Sequence, residues 1–310
     1  SAPVTASTSD VSKVYDGTTA ATGVPTLVAG TLYGSDSLAA GSFAYSNKNV
    51  GAANKTVTVS GITVADGNGG NNYTITQQDN TSSTITAAHI TLTSSNVVKT
   101  FDGGTTAAGV AAVKTGTLFS GDTLSGGSFA FTTKDAGTGN KTVTVGAITL
   151  NDGNSGNNYS VSYANNTTST INPAPITVST SNVTKTYDGT TTAAGTRTIT
   201  SGALFGSDAL SGGSFAFADK NFGVGNKTVN VSGVTVVDGN SGNNYTLTQA
   251  PNTTSTINQA SLTVTAPTFT KTYDGTTLAS GSATVGALAG SAAGETVNTA
   301  ATIAFTDKDA

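Results

Sequence analysis

Apolar residues in this chain fall mostly at alternate positions, in short runs broken by Gly, Asn and Asp. "GSFAF" at 127–131 and 213–217 puts Phe129 with Phe131, and Phe215 with Phe217, on one face of a strand; Phe43 and Tyr45 match them. "NKTVTVSGITVADG" at 54–67 carries Val57 and Val59, then Ile62 and Val64, so the phase changes at Ser60-Gly61 as it does at a bulge. "NNYTIT" at 71–76 places Tyr73 and Ile75 together. "STIT" and "STIN" runs end on Ile85, Ile171 and Ile257. The pattern predicts strands throughout. The one candidate for a short helix is the Ala-rich piece Ala107–Val113, framed by Gly109 and Gly116.

One segment changes phase within itself. In "ITVSTSNVTKTYDG" at 176–189, Ile176 and Val178 share a face, whereas Val183, Lys185 and Tyr187 take the other parity. Ile90/Leu92 against Val97/Lys99/Phe101, and Leu262/Val264 against Phe269/Lys271/Tyr273, repeat the change. A strand that bends and passes from one sheet to another satisfies both halves. Its end is written four times: Lys13, Tyr15, Asp16, Gly17; Lys99, Phe101, Asp102, Gly103; Lys185, Tyr187, Asp188, Gly189; Lys271, Tyr273, Asp274, Gly275. The aromatic positions are each 86 residues after the last. Asp-Gly is a turn signal, because Gly accepts positive φ and Asp bonds back to the chain. Phe at 101 shows that the motif's hydroxyl is dispensable and reads the ring as core.

The period sets the organisation: repeats 1–86, 87–172 and 173–258, and a truncated fourth, 259–310. The closing strand of each runs almost directly into the opening strand of the next ("STINPAPITV" at 169–178), with no flexible linker. The fold expected is all-β, a tandem array of Ig-like β-sandwich domains forming an elongated rod. The alternative, β-grasp-like repeats, requires a convincing helix. "SAPVTASTSD" matches the start of later repeats, and the expectation is a segment of a longer protein.

Composition narrows the function. Only 10% of residues are charged and the net charge is −4, so no basic patch invites nucleic acid or an anionic membrane. No apolar run approaches the ~20 residues of a membrane span. Cysteine is absent, which removes disulfides and thiol chemistry, and His89 is the only histidine. No histidine-based triad or metal site recurs per repeat, and the chain reads as not an enzyme.

Three features carry candidate chemistry. The loops "DGNGGNNY" (66–73) and "DGNSGNNY" (152–159, 238–245) offer calcium ligands: Asp66, Asn68, Asn71; Asp152, Asn154, Asn157; Asp238, Asn240, Asn243. Against calcium stands a Gly/Asn turn held by Asx bonds, since each set has one carboxylate. Tyr73, Tyr159 and Tyr245 suit a corner in which a buried ring bonds backbone through its hydroxyl. The motif lysines share the face of a core ring, so each must snorkel, pair, or cross-link to an Asn beside a carboxylate such as Asp36, Asp122 or Asp208. Tyr33, Phe119 and Phe205, each beside a Leu, are the rings placed for ligand contact.

"YDGTT" at 15–19, 187–191 and 273–277, followed by "GNKTV" and "GNNY", resembles the YDG-type repeat of large bacterial adhesins. Those proteins are filamentous-haemagglutinin-like and two-partner-secreted. The second repeat departs with "FDGGTT", and in the fourth "AGETV" and "TDKDA" fall late against the period. The resemblance implies an extracellular, cell-surface or secreted stalk used in attachment and biofilm formation. The partners expected are the neighbouring repeats, then exopolysaccharide or host glycans bound multivalently, or other copies of the rod.

Overall fold

The structure, a computed structural model, describes residues 1–290, 294–298 and 301–309. The late "AGETV" and "TDKDA" stretches lie partly outside these residues. The first repeat has seven strands: β1 Ala2–Thr8, β2 Ser12–Val14, β3 Pro25–Ala29, β4 Ser37–Tyr45, β5 Gly51–Ala65, β6 Tyr73–Gln77 and β7 Asn80–Thr86. The same seven recur with the same bounds 86 residues on, from Ala88–Ser94 to Asn166–Asn172, and again from Ala174–Thr180 to Asn252–Asn258. No helix occurs among the described residues. The Ala-rich piece read as a candidate helix instead gives the strand Ala111–Thr115. Beyond these, the described part of the fourth repeat holds β22 Val264–Thr265 paired with β23 Thr284–Val285.

Each full repeat is built from two sheets, ordered β3-β1-β6 and β2-β7-β5-β4 in the first. The opening segment is split as its phase change requires: β1 belongs to one sheet and β2 to the other. β1 runs parallel to β6 and antiparallel to β3, while β2 runs parallel to β7. Parallel neighbours need a crossing connection, and here the rest of the repeat supplies it. The phase change at Ser60-Gly61 is present too: Val57, Val59, Ile62 and Val64 are all buried while Ser60 and Gly61 are exposed. The ladder does not slip there. Ala40 and Gly61 take positive φ, of 57° and 69°, so both strands kink together and keep register.

The two sheets enclose two separate cores. One lies between β1, β6 and the C-terminal half of β5, with Val4, Ala6, Val59, Ile62, Val64 and Tyr73. The other gathers Val11, Tyr15, Tyr45, Val57 and Ile85, and is continuous with Ala88, Ile90, Leu92, Ile148, Leu150 and Tyr159 of the second repeat. Packing is therefore offset from the sequence period, because a core cluster begins in one repeat and ends in the next. Tertiary contacts divide the chain accordingly: residues 1–99 with 104–172 form one unit, and residues 100–103 with 173–310 form another. The "TFDG" that closes the opening segment of the second repeat is thus counted with the repeats that follow. In the second unit, Val183, Phe217, Val229 and Ile257 form the cluster equivalent to the second core.

Ile85 is 1% exposed and Val14 is 58% exposed. Ile85→Ala is expected to cost about 2–5 kcal/mol through lost transfer energy and a residual cavity. Val14→Ala should stay within about 0.5 kcal/mol. Denaturant unfolding of the two variants followed by circular dichroism checks the contrast.

Candidate functional site: an aromatic tip and its socket

The turn after β2 is held by its own motif. Lys13 Nζ donates to Asp16 Oδ1 at 2.8 Å and to the carbonyls of Thr18 (2.8 Å) and Ala20 (3.0 Å), and it lies 5.4 Å from the Tyr45 ring centroid. Asp16 Oδ1 also accepts from the Thr18 N–H and hydroxyl. Lys185 and Lys271 repeat this arrangement, with Asp188 and Asp274 as their carboxylates. Lys99 donates to the carbonyls of Gly104 and Thr106 and lies over Phe131. The lysine is thereby paired and placed on a ring, satisfying both demands on an inward cation. Of the three outcomes open to the lysine, the structure shows pairing: in the first, third and fourth repeats the ammonium is engaged by an Asp carboxylate and backbone carbonyls.

A turn locked in this way projects its aromatic ring outward. In the first unit Tyr15 enters the second repeat and is 1% exposed. It meets Phe119 edge-on at 5.6 Å and Tyr159 edge-on at 5.3 Å, and those two rings stack at 6.2 Å. Edge-to-face pairs contribute about 0.5–1.5 kcal/mol each beyond area burial. Below the rings lies Asp122, whose Oδ2 accepts from the Tyr15 hydroxyl at 2.9 Å and from the Tyr159 hydroxyl at 2.7 Å. Lys48 closes the charge on Oδ1 at 3.3 Å. In the second unit Phe101 occupies the same position without a hydroxyl, 5.8 Å from Phe205 and 5.3 Å from Tyr245, and Asp208 accepts from Tyr245. The ring is the constant part and the hydroxyl bond an addition.

Gly17 is required twice. Its φ is +78°, and a Cβ there would stand 2.9 Å from Phe119 Cβ. Gly103 has φ +76° and the same approach to Phe205, at 3.0 Å. Turn conformation and close packing against the socket both exclude a side chain.

The loops singled out for calcium border the socket. Asp152 Oδ1 accepts from the N–H groups of Asn154 and Gly156, and Oδ2 from that of Asn158. Asp66 and Asp238 do the same in their loops. Asn71, Asn157 and Asn243 turn their amides onto the carbonyls of Asn68, Asn154 and Asn240. Three backbone donors thus converge on the one carboxylate each loop offers, the Asx-closed turn set against calcium in the sequence, and no cluster of three or more metal-ligating side chains occurs among the described residues. The loop's role in packing falls instead on Asn158, which is wholly buried. Its Oδ1 accepts from the Val50 N–H of the first repeat at 2.9 Å and its Nδ2 donates to Asn49.

The corner tyrosines bond backbone, as expected: the hydroxyls of Tyr73, Tyr159 and Tyr245 accept from the N–H groups of Tyr33, Phe119 and Phe205. Each also donates to a carboxylate, Asp36, Asp122 or Asp208. Burial, followed by the bond to Asp122, raises the Tyr159 hydroxyl well above its usual pKa. Burial and Asp208 push Tyr245 up to about 12. The rings placed for ligand contact divide. Phe119 and Phe205 are half-buried in the ring clusters, whereas Tyr33 is 64% exposed. A groove of about 710 Å³ beside the Asp152 loop, lined by Ile148, Leu150, Asn151 and Val161 among others, carries no aromatic ring.

Such a tip and socket define a tandem all-β repeat whose modules are joined by their own signature motif. The YDG domain profile matches residues 1–82, 86–168 and 172–254, and the chain belongs to that family. No curated protein and no solved structure matches it.

Asp122→Asn is expected to weaken the first unit by about 1–3 kcal/mol, because a buried acceptor of two hydroxyls loses its charge and its ion pair. Faster hydrogen exchange at the Val50 amide would report the loosening directly, and Asp36→Asn should have a smaller effect. Two pH limits follow from the shifted groups. Asp188 and Asp274 are held to about 2 by the hydrogen bonds from Lys185 and Lys271. Their contribution is complete above the ordinary carboxylate pKa and is lost as pH falls through about 2. Tyr245 acts in the opposite sense: its contribution is complete below pH ~10 and fades as pH rises toward about 12. Carboxyl-carbon NMR titration and an alkaline unfolding series test the two limits.

Proposed function

We propose that this chain is a structural spacer: a run of interlocked, non-enzymatic repeats that belongs to a surface or secreted adhesin and holds a distal adhesive region away from the cell. One observation carries the reading. In the first two repeats the most repeated chemistry in the sequence, the Lys-x-aromatic-Asp-Gly tip, is spent inside the protein, with Tyr15 and Phe101 each 1% exposed. Interlocking is what an array needs to bear extension, since repeat proteins gain stability from each neighbour interface and reach from their number. The family assignment, the low charge and the absence of cysteine fit this role.

Multivalent glycan binding is the second reading, and Tyr33 is the observation that favours it. Sugar sites present exposed rings beside polar groups, and Tyr33 does so beside Asp36. The equivalent rings in the next two repeats are drawn into the tip sockets, which removes the repetition that multivalency needs.

Binding of the purified chain to bacterial exopolysaccharides and host glycans decides between them. No binding at ligand concentrations on the order of a millimolar is the expected result. Binding that disappears with Tyr33→Ala would overturn the spacer reading as a full account.

A further inference from the structure

Each repeat is entered by one strand pair and left by another strand. β1 and β2 lead the chain in, and β7 leads it out to Ala88–Ser94, the next opening strand, across the single residue Ala87. Pro173 is the single residue at the following junction. Tension along the chain therefore passes from the closing strand of one repeat straight to the opening strand of the next. Such tension pulls β1 and β2 back toward their start and β7 forward toward its end.

Both halves of the opening segment lie parallel to a strand beside them. β1 lies along β6, and β2 lies along β7 with Lys13 opposite Ile85. In the third repeat Lys185 stands opposite Ile257 in the same way. Pulled from the two chain ends, parallel neighbours slide past each other, and the bonds between them are loaded together. An antiparallel first and last strand would have both ends on one side and would open a bond at a time. The parallel pair carries more than its ladder. Ser83 of β7 is wholly buried; its hydroxyl accepts from the Val11 N–H at 2.9 Å and donates to Asn80 Oδ1 at 2.7 Å. Asn80 Nδ2 donates in turn to the Thr8 carbonyl and to Asp10. The Thr84 N–H donates to the Val11 carbonyl, and the Tyr15 N–H to that of Thr86, both at 2.8 Å. Ser169 and Ser255 accept from Val97 and Val183 and donate to Asn166 and Asn252. The corner of the opening segment is thus pinned to the closing strand in all three full repeats, by groups that lie inside the repeat.

We propose that this pinned parallel pair is a mechanical clamp, a force-bearing element that resists stretching of the chain along its length. The inference deepens the spacer reading and rests on it for its use; the clamp itself follows from topology. Forced unfolding is governed by the rate of crossing the barrier, and that rate answers to interactions already broken at the transition state. Under tension those are the bonds between the opening and closing strands, where Ser83 and its equivalents stand. β4 lies at the far edge of the order β2-β7-β5-β4, away from the sliding pair.

Constant-force stretching of the 310-residue chain, held at its two ends, is the test. The expected record shows a step of roughly 25–30 nm for each full repeat. Ser83→Ala, Ser169→Ala and Ser255→Ala together should raise the unfolding rate at fixed force at least about tenfold, with circular dichroism unchanged. Leu38→Ala, Leu124→Ala and Leu210→Ala, at half-buried positions on β4 and its equivalents, should lower stability in denaturant as much or more. They should nevertheless change the rate at fixed force by less than about threefold. Ser169→Ala alone, the mildest change, should speed one of the steps. Serine variants no faster under force than leucine variants of matched denaturant stability overturn the clamp. So does a Ser169→Ala chain whose steps all keep the unsubstituted rate. The spacer reading fails separately, through glycan binding lost with Tyr33→Ala, and that outcome leaves the stretching record unchanged.

Discussion

The architecture of the first three repeats depends on an aromatic ring, Tyr15 or Phe101, buried in a socket that its own repeat does not own. A seven-stranded unit of this size has little room for a core, and each repeat divides that core in two. In the first repeat the half near β2 and β7 is completed by the second. Tyr15 is the piece that crosses, and Asp122 is the group that makes the crossing specific, because one buried carboxylate serves two tyrosine hydroxyls and a lysine. A buried charge is tolerated only when it is so satisfied. Where Phe101 replaces the tyrosine, the ring packing is kept and the carboxylate serves one tyrosine hydroxyl, that of Tyr245.

Much of this was legible in the chain. Alternation gave the strands, and the change of parity between Ile176/Val178 and Val183/Lys185/Tyr187 gave the bend that sends one segment into two sheets. The 86-residue step marked which positions matter. The destination of the recurring ring was not legible. Alternation says that a side chain is buried but not against what, and a ring docked in a neighbour has the same sequence signature as a ring in its own core. The parallel pairing of β1 with β6, and of β2 with β7, was likewise hidden, since ladder direction is set by topology and not by the periodicity of either strand.

The loops read for calcium show a similar limit. Asp followed by Gly and Asn is equally the signature of an oxygen cage and of a turn closed by its own carboxylate. Backbone donors close the turn here: three N–H groups converge on each Asp, as in the bonds of Asn154, Gly156 and Asn158 to Asp152. The three loops differ only at Gly69 against Ser155 and Ser241, so identity could not single out the second Asn of "GNNY". It points outward to a neighbour: Asn158 meets Val50 and Asn49 of the preceding repeat.

The offset between packing and sequence period bears on how such chains change length. Every strand of the first three repeats recurs at the same step, so an unequal exchange between two gene copies, wherever in the repeat the crossover falls, joins matching positions. The product has one repeat more or fewer, yet a tip inside the array still meets a socket at the same step, because what is inherited is the spacing between them and not the boundary of a domain. Length is then free to drift while the pairing of tip with socket is kept.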